Sequence, residues 1–267
     1  MTFSTRSRAR APTSCTACAI RQQALFQGVP YGRLEWTQQY REMQLQLPPR
    51  KLIYLEKTRP THAYTLFNGW AVLYKTLDNG KRQILRIALP GDLLGFQVGS
   101  DGLCTHSAES ITATTLCAFP SEKIAKMLSE QPEIASRLVE LSARDMAICQ
   151  QHLVCASKRD AREKIAYLFM ETLHRVRRQA PGDYNAEDNS IFFPVTQEDL
   201  GDTVGLTNVH VNRTVRQLTV EGVLECQHRR LTILDEDKLS SIAQFDTSML
   251  DTHPLLSPGN ASKITPP

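Results

Sequence analysis

Between Phe193 and Leu218 the chain reads FPVTQEDLGDTVGLTNVHVNRTVRQL, its densest run of side chains suited to recognising another molecule. On a helix begun at Thr207, Val211, Val215 and Leu218 recur at inward spacing, leaving Asn208, His210, Asn212, Arg213 and Arg216 polar. A polar helix face of this kind suits the major groove of DNA. Arginine pairs with guanine O6 and N7, and asparagine with adenine N6 and N7. The Thr207 hydroxyl and the free N–H groups of the helix start offer a seat for phosphate. Ahead of it, Thr196 with Asp199 forms a capping pair for a first helix whose Leu200 and Val204 face inward, and Gly205 permits the sharp turn between the two. This is helix-turn-helix geometry. Behind it, Leu224–Cys226 and Leu231–Leu234 make a hairpin tipped by His228, Arg229 and Arg230, a basic wing suited to phosphates.

The seven cysteines are the second chemical resource. Cys15 and Cys18 form a C-x-x-C pair on an arm whose first acidic residue is Glu35, after Arg6, Arg8, Arg10, Arg21 and Arg33. Nearby arginine favours thiolate, so these two are expected to be reactive. No apolar secretory region follows the basic start, which points to the cytoplasm and to thiols, metal ligands or redox sensors rather than structural disulfides. Cys149 and Cys155 fall on one long helix and Cys226 near the wing, where oxidation would disturb packing or repel phosphate. His62, His106, His152 and His174 carry no haem signature. His62 and His106 lack the carboxylate pattern of a barrel metal enzyme, and no Gly-rich phosphate loop, nucleophile elbow or His-Glu-x-x-His is present, so an enzyme is not expected.

The elements that must position these groups follow from periodicity. Net charge is +3 and 41% of residues are hydrophobic, ordinary values for a globular chain with no unbroken apolar run of membrane-spanning length. Trp36, Tyr40, Met43 and Leu47 predict a helix over 34–47. Short strand-like runs follow: Leu52–Leu55, Tyr64–Phe67, Ala71–Lys75, Arg82–Ala88 and Ser110–Phe119, with Asp78-Asn79-Gly80 and Pro90-Gly91-Asp92 as turns. They predict a β-barrel. Ser121 starts a short helix and Pro132 a longer one, to about Ala156, with Ile134, Leu138, Leu141, Ile148 and Cys155 as an apolar stripe expected to meet a second copy. Asp160 caps a further helix over 161–179. A basic cluster at Arg175, Arg177 and Arg178 adds to the anion-facing candidates. The division expected is a basic flexible arm with the cysteine pair (1–33), a sensor barrel (34–130), a dimerisation helix (131–157), a winged helix-turn-helix (158–245) and a disordered tail (246–267).

Over about residues 15–240 the sequence resembles the Crp/Fnr family of bacterial transcription regulators. The resemblance rests on Pro90-Gly91-Asp92-Leu93-Leu94-Gly95, the long helix after it, Gly205-Leu206-Thr207 and Asn212-Arg213. It implies an α+β fold: an N-terminal cyclic-nucleotide-binding-type jelly-roll barrel, a long dimer helix and a C-terminal winged helix-turn-helix. It further implies a homodimer on a palindromic double-stranded DNA operator, contact with RNA polymerase, and control of low-oxygen or redox adaptation. In the Fnr branch a glutamate, a serine and an arginine read bases; here those positions are Val209, Asn212 and Arg213. The glutamate and arginine that hold cAMP in Crp are absent from Gly95-Phe96-Gln97 and Thr105-His106-Ser107, so cAMP is not expected. Fnr sensors bind an iron–sulfur cluster through three N-terminal cysteines and one in the barrel. Cys15, Cys18 and Cys117 match three of these, but Ala24 stands near the remaining position, leaving Cys104 or a carboxylate as fourth ligand.

Overall fold

The computed structural model describes residues 12–27, 29–96 and 98–250; the expectations for residues 1–11 and 251–267 lie outside the described residues. Helix α1 (Leu34–Tyr40) precedes eight strands: β1 (Met43–Leu47), β2 (Leu52–Tyr54), β3 (His62–Asn68), β4 (Ala71–Thr76), β5 (Arg82–Ala88), β6 (Leu93–Leu94), β7 (Ser107–Ser110) and β8 (Thr114–Pro120). They form two antiparallel sheets, ordered β1-β8-β3-β6 and β2-β7-β4-β5. Leu66, Leu94 and Leu116 of one sheet meet Ala71, Leu73 and Ala88 of the other in a buried core, which makes the expected jelly roll.

The helix predicted over 34–47 stops at Tyr40, and Met43–Leu47 is a strand paired in register with Ala118–Thr114. Met43, Leu45 and Leu47 alternate with Gln44 and Gln46, a period of two that the partner strand selects over the helical one. The arm also differs from expectation. Its described part, 12–33, packs on the barrel through buried Ala24, Leu25, Phe26 and Val29. Polar ties from Cys15 N–H to Gln38 Oε1 (3.0 Å) and from Arg41 Nη1 to the Thr13 carbonyl (2.6 Å) hold its start.

After β8, α2 (Ser121–Glu130), α3 (Pro132–Lys158) and α4 (Ala161–Gln179) lead to a third sheet made of β9 (Tyr184–Asn185), β10 (Ser190–Phe192), β11 (Leu224–Gln227) and β12 (Arg230–Ile233). Helices α5 (Gln197–Val204) and α6 (Asn208–Val220) lie between β10 and β11, and α7 (Glu236–Ala243) closes the domain on α4. The sheet order is β11-β12-β10-β9.

The apolar stripe assigned to dimerisation faces the other way. Ile134, Leu141, Ile148 and Cys155 are buried within their own chain, and Leu138 packs beside them on the barrel-side core. The exposed face of α3 carries a different seam: Val139, Ser142, Met146, Cys149, Leu153 and Ala156, spaced alternately by three and four residues. Of these, Leu153 is 70% exposed. A helix with two apolar stripes serves two neighbours, and one chain supplies only one of them.

A buried carboxylate joins the layers. Asp92, in the turn after β5, accepts from Leu89 N–H (3.0 Å), Arg144 of α3 (2.7 Å), and Arg175 and Gln179 of α4 (2.8 and 2.7 Å). Arg86 of β5 stands 3.6 Å away. Burial works against its charge, but Arg144, Arg86 and Arg175 outweigh that and hold the carboxyl below its ordinary range. Arg175, read from sequence as part of an anion-facing cluster, is therefore an internal ion-pair partner. Arg177 likewise pairs with Glu236 and stacks on Tyr184.

Candidate nucleic-acid interface

The two helices of the motif are set by local chemistry. Thr196 Oγ1 accepts from Asp199 N–H and the Asp199 side chain accepts from Thr196 N–H, so α5 begins in a complete capping box. Gly205 ends it at φ +71°, a left-handed conformation that favours glycine. Gly201 is required for another reason: a Cβ there would lie 2.6 Å from the Leu206 carbonyl oxygen, so α5 and the turn can approach only with glycine. Thr207 caps α6, its hydroxyl accepting from His210 N–H at 3.3 Å.

Val211, Thr214, Val215 and Leu218 bury one face of α6. Asn208, Asn212, Arg213 and Arg216 lie exposed on the other, with His210 half-buried beside them. Asn212 Nδ2 reaches Gln197 Oε1 (3.2 Å) at the start of α5. Among the described residues, neither Arg213 nor Arg216 has a hydrogen bond or ion pair within the chain. Two uncommitted guanidinium groups one turn apart on an exposed helix favour an external anion or base edge. Val209, which the sequence resemblance puts at a base-reading position, is 80% exposed on the same face. An exposed aliphatic group there suits a thymine methyl.

The wing is a two-residue hairpin in which Gln227 pairs with Arg230. His228 and Arg229 form its tip at φ 52° and 59°, conformations uncommon for residues other than glycine. Arg229 is exposed. Arg230 is half committed, its Nε donating to Ser190 Oγ (2.9 Å) and its Nη2 lying 3.8 Å from Asp188.

The domain is clamped to the barrel. Asp199, buried in α5, takes both guanidinium nitrogens of Arg50 (3.0 and 2.6 Å) and one of Arg82 (2.7 Å), while Arg82 Nε reaches Asp202 (2.7 Å). Burial would raise the Asp199 pKa, but hydrogen bonds from Arg50 and Thr196 overcome it and lower the group to about 2.

Two cavities of the barrel hold the groups that the sequence reading considered for sensing. Cys15 and Cys18 of the arm line one apolar pocket with Cys117 of β8, as the sequence resemblance implies, and Ala24 lines the same pocket. The cavity is about 30 Å³ and walled by Phe26, Phe67 and Phe119. Among the described residues no group of three or more His, Cys, Asp or Glu side chains is placed to hold a metal ion. Cys104 belongs elsewhere, bridging to Val98. Four thiolates are not assembled, so the arrangement does not fit an all-cysteine cluster. Nor is Cys18 activated as expected: burial pushes its thiol up, as it does those of Cys117, Cys149 and Cys155, and it lifts Cys226 to about 11.

The other site lies inside the jelly roll against α3, a cavity of about 80 Å³ lined by Arg86, Phe96, His106, Asp145 and Cys149. An arginine is thus present where the sequence reading found none. It is committed to Asp145 (2.5 Å). His106 donates to or accepts from Tyr54 Oη (2.8 Å), and burial drives its pKa down to about 4, so it is neutral at physiological pH.

Two family models match the chain: a cyclic nucleotide-binding domain over residues 44–131 and a Crp-like helix-turn-helix domain over residues 163–242. The nitrogen fixation regulation protein FixK of Bradyrhizobium diazoefficiens is 28% identical over 229 residues, 86% of this chain and 93% of that protein. The transcriptional activatory protein AadR of Rhodopseudomonas palustris is 28% identical over 195 residues, 73% of this chain and 79% of its own. The structure of FixK2 from Bradyrhizobium japonicum shares the fold, with a TM-score of 0.66 at 24% identity, covering 75% of this chain and 96% of that one.

Proposed function

Because the chain belongs to the Crp/Fnr family of DNA-binding transcription regulators, which are not enzymes, we propose that it acts as a homodimer that reads a palindromic operator with α6 and presents the complex to RNA polymerase in the cytoplasm. The observation that carries this reading is the exposed polar face of α6, with Arg213 and Arg216 uncommitted on it. Arg213 reads a guanine, Asn212 a neighbouring base or phosphate, and Thr207, Asn208, His210, Arg216, Arg229 and Arg230 hold the backbone. The second α3 seam, which one chain leaves open, places two such helices on one duplex.

Selection of bound sequences from a random pool should return an inverted repeat. On that repeat Arg213→Ala should cost about 1–3 kcal/mol and relax one position per half-site, whereas Arg229→Ala should weaken all sequences alike and flatten the salt dependence by about one ion. Uniform loss with Arg213→Ala would remove its base-reading role.

The input in this reading is redox, entering at the pocket shared by Cys15, Cys18 and Cys117 and slow to engage, because burial keeps the Cys18 and Cys117 thiols protonated. Two of these thiols joined as a disulfide surrender two protons and two electrons to a peroxide, giving water and fastening the arm. Protein purified without oxygen should contain no stoichiometric iron and sulfide. Its DNA affinity should change after peroxide, return with dithiothreitol, and be indifferent to both in Cys117→Ser. Stoichiometric iron and sulfide that bleach in air would instead establish a cluster and require a fourth ligand beyond these three.

A further inference from the structure

Strand β5 is an edge of its sheet, and Leu85 is the extra residue of a bulge in it, since Ile84 stands opposite Tyr74 and Arg86 opposite Leu73. Side chains from two helices cover that edge. His152 of α3 meets the Leu85 carbonyl through Nδ1 (3.1 Å), and Arg175 of α4 donates to the Ile87 carbonyl through Nη1 (2.8 Å). Glu171 of α4, 2% exposed, joins the two: its Oε2 is 2.7 Å from His152 Nε2 and its Oε1 is 3.5 Å from Arg175 Nη1. Barrel, α3 and the first helix of the DNA-binding domain thus meet at one imidazole.

The partners fix the proton count. A carbonyl only accepts, so Nδ1 must carry a proton toward Leu85. Nε2 faces a carboxylate, and that contact needs a second proton, whether it rests on the ring or on Glu171. A neutral histidine beside an ionised glutamate holds one proton too few for both contacts. Burial opposes the charged ring, as does Arg175, but Glu171 and the Leu85 carbonyl outweigh them and raise the His152 pKa above the ordinary histidine value of about 6.5. Lys164 and Tyr167 of α4, Cys155 of α3, and Thr203 and Val204 of α5 line a cavity of about 20 Å³ with the ring. Arg86, next to Leu85, is paired with Asp145 of α3. Of the two cations on the β5 edge, only the histidine can lose a proton near neutral pH.

We propose that His152 and Glu171 form a proton-operated latch between the barrel and the DNA-binding domain, closed while the pair holds the second proton and released when rising pH removes it. Release leaves either the Leu85 carbonyl or the Glu171 carboxylate without its donor, and a buried acceptor without a donor is costly. The sign follows from the raised value: the latch contributes fully below about pH 6.5 and is lost as pH rises through the folded-state value. Asp92 and Asp199 hold the same joint but stay ionised throughout this interval, so they do not respond to it. Any consequence for operator affinity rests on the DNA-binding reading; the latch itself does not.

The test uses the full chain and follows the histidine ring signals by nuclear magnetic resonance as pH is raised from acid through the weakly alkaline range. The ring signal missing from His152→Gln should titrate above about pH 6.5. In Glu171→Gln, which keeps the shape and removes the charge, the same ring should titrate at least about one pH unit lower, a comparison that needs no stable His152 variant. As pH rises through the wild-type midpoint, the wild-type melting temperature should fall several degrees further than that of His152→Gln. Operator affinity at fixed salt should change at least about threefold more in wild type than in that variant, His210 and His228 being common to both. A His152 ring that titrates below about pH 6.5, a midpoint unmoved by Glu171→Gln, or parallel melting curves would each overturn the latch. Divergent melting curves with the same change in operator affinity would keep the latch and remove its effect on DNA, and a chain that bound no operator would leave the ring and melting results to decide the latch.

Discussion

At the scale of single residues, what decides function here is whether a polar group has already been used. Arg213 and Arg216 are charged and exposed, with no partner among the described residues; Arg175 and Arg86 are equally charged but spent on Asp92 and Asp145. Composition cannot separate these cases, because the partners lie far away in sequence: Arg175 meets Asp92 across 83 positions. That is why the cluster at Arg175–Arg178 read as anion-facing and proved mostly internal. Val209 is legible only through the family resemblance, which puts it at a base-reading position, because an isolated valine carries no hydrogen-bonding signal of its own. Its position leads to a prediction. Where the Fnr branch carries a base-reading glutamate, this chain presents an aliphatic group suited to a thymine methyl. Val209→Glu should move the preferred half-site toward cytosine at one position, because a carboxylate accepts from cytosine N4. A specificity matrix from competitive binding would show the change. An unaltered matrix would place Val209 outside the groove.

Elements were more legible than sites. The capping pairs at Thr196–Asp199 and Asp160–Glu163 are written in adjacent residues, and α4 and α5 begin where those pairs require. Arg82–Ala88 and Ser121–Glu130 likewise match the expected bounds because turn signals flank them. The stretch from Ser110 to Phe119 was read as one strand, whereas a corner at 111–113 divides β7 from β8 and sends them to opposite sheets. On α3 the period was right and the phase was not. Both Ile134-Leu141-Ile148-Cys155 and Val139-Met146-Leu153 repeat every seven residues, and only the barrel's position tells which stripe it covers. The two stripes make opposite predictions under mutation. Leu153→Glu should leave the fold intact and, on the proposed dimer, give a monomer in analytical ultracentrifugation where wild type sediments as two chains, because it sets like charges face to face across the seam. Ile148→Ala, at a fully buried site, should lower stability by about 2–5 kcal/mol in denaturant unfolding. A Leu153→Glu protein that stays dimeric would shift the interface off this seam.

Over the whole molecule, barrel and DNA-binding domain share an apolar core, in which Trp70, Ile84 and Leu89 join Phe169, Phe193 and Leu200, and the charged contacts beside it give the joint a definite pH signature. Asp92 ties the barrel turn to α3 and α4, and Asp199 ties α5 to Arg50 and Arg82 of the barrel. Both carboxyls are depressed in the folded chain: the unfolded state takes up protons first as pH falls, and folding opposes that uptake. Their contribution is therefore complete above about pH 4, the usual aspartate value, and disappears as pH falls toward the folded value, about 2 for Asp199. A drop from 3.8 to about 2 corresponds to about 2 kcal/mol at neutral pH for that one group. Asp199→Asn keeps the shape and a hydrogen-bonding side chain but leaves Arg50 and Arg82 without their shared charge. At pH 7 the variant should be less stable than wild type by at least this amount, and between pH 4 and 2 its stability should decline less steeply, so the two curves converge in acid. The same substitution frees α5 from the barrel and should make the DNA-binding domain more accessible to limited proteolysis at neutral pH. Parallel stability curves across that acid range would show that Asp199 carries no linkage, and the clamp would then reside in Asp92 alone.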